Sequence, residues 1–366
     1  MKRVWSATVV ATLWMAGAAG GIAADAPAVG KAGSPASGAQ TEPGRAETPA
    51  PGVELRQAPG VGFSVDCNSP AHWDGDTLYV FTSGPANKYR FSGHDLSSLT
   101  NKTQCNGSGG WVDATWTDTN GLLYAWYHNE DVKVPVVGRG NRVIPRIGAQ
   151  VSTDNGATWK QLGVILEAPR DSINSSTANR FFCGGNGDFS VMLDAKQAYL
   201  YLFISTYHSN VVEQGVSVAR MKWTDRDQPV GKVWKWHKGA WNEPGIGGHV
   251  TPVFAVARDW HMNPPDAFWG PSIHWNTYLE TYVIILNRAV TTGWGNEGHY
   301  ITFNRDLSNP GGWTAPRKIS DKGGWYGQVI GTDPGKGTDK LAGQVARFFV
   351  SGKSDREIVF TRPGEK

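Results

Sequence analysis

The sequence has little charge and almost no excess of either sign. Asp, Glu, Lys and Arg make up 18% of the residues, 35 basic against 32 acidic, for a net charge of +3. A nucleic-acid-binding protein shows a basic stripe and a larger excess, so that class is set aside. There are only three cysteines, Cys67, Cys105 and Cys183. No C-x-x-C pair and no Cys/His spacing of a zinc site occurs, so no metal centre is expected from them. In an oxidising compartment one pair can bridge and leave the third free, with the pairing open; structural roles are the expectation. No P-loop, G-x-S-x-G, H-E-x-x-H or dinucleotide fingerprint is present, which leaves nucleotide and serine-hydrolase chemistry without support.

What the sequence has in abundance is glycine and aromatic residues, 46 Gly, 17 Trp, 13 Phe and 11 Tyr. With so little charge this composition points to many short strands and tight turns and excludes a helical bundle. Lys2 and Arg3 precede an apolar run from Val4 to Ala18 and small residues ending at Ala24, the pattern of a secretory signal peptide over residues 1–24. The run is short of a full membrane span, and no membrane contact beyond this export signal is expected. The absence of a cysteine near the cleavage point argues against a bacterial lipoprotein. Residues 25–58 are rich in Ala, Pro, Gly, Ser and Thr and read as a disordered linker, because they offer too little apolar surface to offset ordering. The folded domain is then expected at 59–366, in a secreted or periplasmic protein.

Within 59–366 a loose unit recurs: a small or polar turn with an acid or Ser, an apolar strand start, a short turn and an aromatic strand. Its copies begin at Val65-Asp66, Gly110-Trp111-Val112-Asp113, Gly187-Asp188-Phe189 and Trp269-Gly270-Pro271-Ser272, with a degenerate one at Gly324-Trp325-Tyr326. The aromatic strands follow at Thr77–Ser83, Leu122–Tyr127, Tyr199–Ser205, Thr281–Leu286 and Ala346–Val350. Second hairpins start near Ile147, Gln214 and Gly298. Two hairpins per unit make a four-stranded meander, and about 60 residues per unit suits propeller blades with loops. A two-sheet sandwich is the alternative, but one motif per unit favours radial closure. The expectation is an all-β fold, a five-bladed β-propeller of four-stranded antiparallel blades, monomeric because a propeller needs no partner to close its edges.

In a propeller the innermost strands run along the central channel, so equivalent positions converge at one mouth. Asp66, Asp113 and Asp188 stand 11 to 13 residues before the Tyr of their aromatic strands. Carboxylates from separate blades can supply a base, a group that tunes its neighbours and part of a sugar-binding rim. Glu213 and Glu297, each just before a second hairpin, are the candidates for the acid. Trp73, Trp111, Trp269, Trp294 and Trp325 lie beside Gly or polar loop residues, where an indole face can stack a sugar ring. His72 and His274 lie near inner turns, where one can line the channel or hold an ion, and Arg288 can bond sugar hydroxyls. No cofactor is expected; a structural channel ion such as calcium stays open. Ser152-Thr153-Asp154-Asn155-Gly156-Ala157-Thr158-Trp159 fits the Asp-box pattern S-x-D-x-G-x-x-W, a hairpin turn with a structural role.

These residues resemble the five-bladed propeller glycoside hydrolases, the clan around family 43 with its arabinanases and galactosidase-like relatives. The resemblance rests on Asp66, on Gly187-Asp188-Phe189-Ser190-Val191 before Tyr199-Leu200-Tyr201, and on Trp269-Gly270-Pro271-Ser272 before Tyr282. It implies a secreted glycoside hydrolase acting on a poly- or oligosaccharide, with Asp66 as base and Asp188 as modulator. The family's acid opens an E-G-P segment, and here that place reads Trp269-Gly270-Pro271. The acid then comes from Glu297 or Glu213, or the propeller binds sugar without cleaving it. A third reading, a sialidase-like exo-glycosidase, draws on the Asp box and on Arg146, Arg180, Arg220 and Arg288 as a pool for an arginine triad.

Overall fold

Alternation along the strands sets the architecture. In Tyr199–Thr206, Leu200, Leu202 and Ile204 point to one side, Tyr201 and Phe203 to the other, and all five are buried. The first set packs with Trp126, Ile147 and Ala149, the second with Ile284 and Leu286. The next such strand, Thr281–Ala289, repeats the device, with Ile284 and Leu286 on one face and Val283 and Ile285 on the other, against Val329 and Phe348. A sheet buried on both faces must be sandwiched between two others, and successive sheets sandwiched in this way close into a ring.

The structure, a computed structural model, describes residues 50–84, 88–321 and 323–365. The signal peptide and residues 25–49 of the linker lie outside the described residues. Five mainly antiparallel sheets form a five-bladed β-propeller. From the axis outward, blade I is Ala71–Asp74, Thr77–Ser83, Lys88–Gly93 and Asn101–Gln104. Blade II is Trp111–Thr117, Leu123–Asn129, Arg146–Ser152 and Lys160–Leu166. Blade III is Asn186–Leu193, Tyr199–Thr206, Gly215–Lys222, Val233–His237 and a fifth strand, Ala240–Pro244. Blade IV is Ala267–Asn276, Thr281–Ala289, Asn296–Asn304 and Arg317–Asp321.

Blade V joins the two ends of the domain. Its inner strands are Gln328–Gly331, Val345–Val350 and Lys353–Thr361, and its outermost is Gly52–Gly62, in register from Gly52 opposite Thr361 to Gly62 opposite Lys353. Residues 52–58, assigned to the linker from their composition, are therefore part of the domain. The small Ala58-Pro59-Gly60 segment falls where the register slips between Gln57 and Val61, and an edge strand tolerates a proline there.

The axis is laced by side chains. Asn68 Nδ2 donates to the carbonyls of Phe189 and Pro271, joining blade I to blades III and IV. Ser69 and Gln328 exchange two hydrogen bonds between blades I and V, and Val112 N–H donates to Ser83 Oγ between I and II. The turn at 152–159 is tied by Ser152 and Asp154, with the Gly156 and Thr158 amides donating to their side chains, and Trp159 packs on Phe81 of blade I. The three cysteines are free and buried, so no pair of them is bridged. They sit apart: Cys105 is between blades I and II, Cys183 is beside Val136 and Ile144, and Cys67 is at the axis with Sγ near the Val112 carbonyl.

Candidate active site

The innermost strands of blades II, III and IV each carry a bulge near the start. The register slips between Val112 and Ala114, between Gly187 and Phe189, and between Trp269 and Ser272. The extra residues are Asp113, Asp188 and the Gly270-Pro271 pair. A bulge re-aims the side chain of the inserted residue. Asp188 there adopts φ 35°, a left-handed conformation that Asp tolerates better than most residues.

A cavity of about 310 Å³ opens where the N-terminal ends of the inner strands converge, within the size range of small-molecule sites. Asp66, Asp188 and Glu130 line it with His128, under a wall of Trp269, Trp294, Trp325 and Tyr326. Trp260, Phe181 and Phe182 complete the aromatic part, and Arg180 is exposed at its edge. The loop before blade III is fixed by the buried Asn179, whose Oδ1 accepts the amides of Phe181 and Phe182. Phe182 stacks on Tyr207 with ring centres 4.2 Å apart.

Charge in the cavity is concentrated on a few buried groups. Asp188 is almost fully buried, and burial, with the nearby Asp113 charge, pushes its carboxyl up to about 7 despite attraction from His128. Its Oδ2 accepts the Tyr207 hydroxyl at 2.6 Å. Asp66, less buried, is also raised by burial, which His128 opposes; Tyr326 donates to its Oδ1 at 3.4 Å. Asp113 lies beneath the cavity, buried, where its Oδ2 accepts from His128 Nδ1 at 3.0 Å. Burial works against charging His128, but the Asp113 charge and hydrogen bond outweigh it and hold the imidazole well above its ordinary value. Trp111 does not line the cavity; it stacks on the His128 ring with centres 4.8 Å apart.

The other expected residues lie elsewhere. Glu213 is outside the cavity lining, its carboxylate accepting from His208 Nδ1 at 3.0 Å and His249 Nδ1 at 3.1 Å. Burial opposes its charge, but those donors hold it down to about 2, unsuited to giving up a proton at neutral pH. Glu297 is also outside, bound to Tyr300 and Lys318 and lowered by them against burial. Neither supplies an acid to this cavity, which corrects that expectation. Arg288 is held by Asp266 through Nε at 2.9 Å and Nη2 at 3.0 Å, also away from the cavity.

His72 and Trp73 line a different cavity of about 420 Å³, at the C-terminal ends of the inner strands, with Thr117, Met192 and Trp275. Trp73 Nε1 donates to the Gly337 carbonyl, and burial pushes His72 down to about 4. His274 is fully buried in the inner strand of blade IV, with no hydrogen-bond partner for either ring nitrogen, and burial brings it down to about 3. Among the described residues no group of three or more His, Cys, Asp or Glu is placed to hold a metal ion. Sequence reasoning missed His128, Glu130, Trp260 and the Phe181-Phe182 pair; the recurrence of an aromatic strand pointed near His128 and Glu130, which follow Leu122–Tyr127.

No protein-family model matches the chain, and no curated protein matches its sequence. Solved structures do resemble it. An endo-arabinase from Bacteroides thetaiotaomicron is 11% identical, with a TM-score of 0.47 over 84% of this chain and 96% of that one. The catalytic domain of an α-L-arabinofuranosidase from Coprinopsis cinerea is 10% identical, with a TM-score of 0.46 and the same coverages. An exo-β-1,3-galactanase from Phanerochaete chrysosporium is 12% identical, with a TM-score of 0.43 over 84% of this chain, which spans 64% of that longer one.

Proposed function

We propose that the protein is a glycoside hydrolase that cleaves a glycosidic bond in the cavity bordered by Asp66 and Asp188. The observation that carries this reading is that Asp66 and Asp188, from separate blades, share one aromatic-walled cavity with Glu130, Asp188 being raised to about 7. Glycoside hydrolysis uses one carboxyl group to protonate the leaving oxygen and another to act as base or nucleophile. Asp188 keeps its proton near neutrality and gives it to the glycosidic oxygen. Asp66, the less buried, ionises first and activates water. Asp113 and His128 act from beneath, where their buried pair fixes the charge that Asp66 and Asp188 feel. The indoles of Trp269, Trp294 and Trp325 offer apolar faces to the C–H edges of a sugar ring. The substrate is a poly- or oligosaccharide met outside the cytoplasm, consistent with the export signal read at residues 1–24.

The test is product analysis on plant and microbial polysaccharides and aryl glycosides, with wild type beside Asp66→Asn and Asp188→Asn, each confirmed folded by its thermal melt. Sugar release by wild type that is lost in both variants supports the assignment. The wild-type rate should fall as pH rises through about 7 and again towards acid, as Asp188 ionises and Asp66 protonates. Glycan binding without release from any substrate refutes hydrolysis and makes the propeller a lectin.

A further inference from the structure

Blade III is wider than its neighbours. It adds Ala240–Pro244 outside Val233–His237, the two strands pairing from Trp234 with Pro244 to His237 with Ala240. Cross-strand pairing places Tyr201 opposite Arg220 and Arg220 opposite Trp234, so the three share one face. The inner part of that face, with Tyr201 and Phe203, packs in the cluster shared with blade IV. Farther out the cover ends. Trp234 is 46% exposed, and a cavity of about 430 Å³ is bordered by Tyr199, Arg220, Trp234 and Trp241.

The chemistry of this surface is specific. The Arg220 guanidinium stands 4.4 Å from the ring centres of both Tyr199 and Trp241 and hydrogen-bonds the Tyr201 side chain, so π faces hold the cation while its fork of N–H donors exceeds what the Tyr201 bond uses. Lys222 and Lys232 are exposed and border the same cavity. Asp225 is the one acid among the bordering residues. A surface of this kind suits a ligand with both an apolar face and negative charge. A neutral sugar chain leaves the three cations unused, and a small anion leaves the exposed indole uncovered. A nucleic acid has both features, but binding its phosphate backbone takes an extended basic stripe, and this cavity is bordered by three cations with an acid among them.

We propose that this outer face of blade III binds an anionic polysaccharide, with a sugar ring stacked on Trp234 and its carboxylates or sulfates on Arg220, Lys222 and Lys232. The site is separate from the Asp66–Asp188 cavity, with which it shares no bordering residue. It does not depend on catalysis there.

Affinity electrophoresis and calorimetry with polygalacturonate and chondroitin sulfate, beside neutral arabinan and single-stranded DNA, test the proposal on the full chain. Wild type is expected to bind an acidic polysaccharide in preference to the other two. Trp234→Ala should weaken that binding by roughly tenfold, as loss of an anchoring Trp does. The pair Lys222→Glu with Lys232→Glu should weaken it at low salt, in an independent variant that keeps the indole, and the difference should shrink in concentrated NaCl. Asp188→Asn should bind as wild type, so that failure of the catalytic reading leaves this result standing. Binding to neither acidic polysaccharide, equal binding of arabinan or DNA, or wild-type affinity in the Trp234 and Lys variants overturns it.

Discussion

Replacing Asp188 by Asn is expected to stabilise the protein, by an amount that grows with pH. Asp188 is raised from 3.8 to about 7, chiefly because burial penalises its charge. Between those two values the unfolded chain has released the proton while the folded chain keeps it. A folded state that binds more protons loses stability as pH rises, at about 1.4 kcal/mol per pH unit. The wild type therefore loses about 4 kcal/mol through this one group from pH 4 to pH 7, and above that the loss levels off. Asn keeps the shape, accepts the Tyr207 hydroxyl through its carbonyl oxygen, and does not ionise. Urea denaturation of both proteins at pH 4, 5, 6, 7 and 8 reads the difference directly. The gap should be smallest at pH 4, widen steadily to pH 7 and stay flat beyond. In thermal melts it corresponds to a shift on the order of 5–10 °C at pH 8, in a variant that no longer releases sugar. A gap that does not change with pH would show that Asp188 ionises in the folded protein as it does in water, and would remove the proton donor from the proposed mechanism.

The packing gives two further expectations. His128→Asn removes the cation paired with the buried Asp113 and leaves an uncompensated charge under the cavity, so it should cost about 3–5 kcal/mol at neutral pH, measured by urea denaturation; adding Asp113→Asn should restore part of it. A chain beginning at Phe63 lacks the outer strand of blade V and bares Lys353–Thr361 as an unpaired edge, so it should aggregate where a chain beginning at Pro51 stays soluble, as size-exclusion chromatography would show.

The second strand of every blade was legible because both of its faces are buried, so it reads as an almost unbroken apolar and aromatic run, as Tyr199–Thr206 does. Lys88–Gly93, half-buried along its length, carries no such run and was missed, as was the fifth strand of blade III. The first part of Gly52–Gly62 looked like linker because this edge strand is broken by a bulge around Pro59. At the site, Asp66 and Asp188 were legible from their place in the repeat. His72 and Trp73 were misplaced because inner strands run from one mouth to the other, and a few residues along the strand change which mouth a side chain meets. Glu213 and Glu297 stand where third strands begin, at the same end as Asp188 but two strands out from the axis. The loop residues Trp260, Phe181 and Phe182 recur in no other blade, so no internal pattern could point to them.

The pairing of Gly52–Gly62 with Lys353–Thr361 also orders events in time. Hairpins within each blade join near neighbours in sequence and can form as the chain emerges from the ribosome. The last interface cannot, because its two halves come from opposite ends of the domain. Until the C-terminal strands exist, the growing protein is an open arc. One of its ends bares Ala71, Leu78 and Val80, which will later meet Ile330 and Phe349. That end stays sticky for as long as translation takes, and the slow, long-range closure of the ring is what finally hides it.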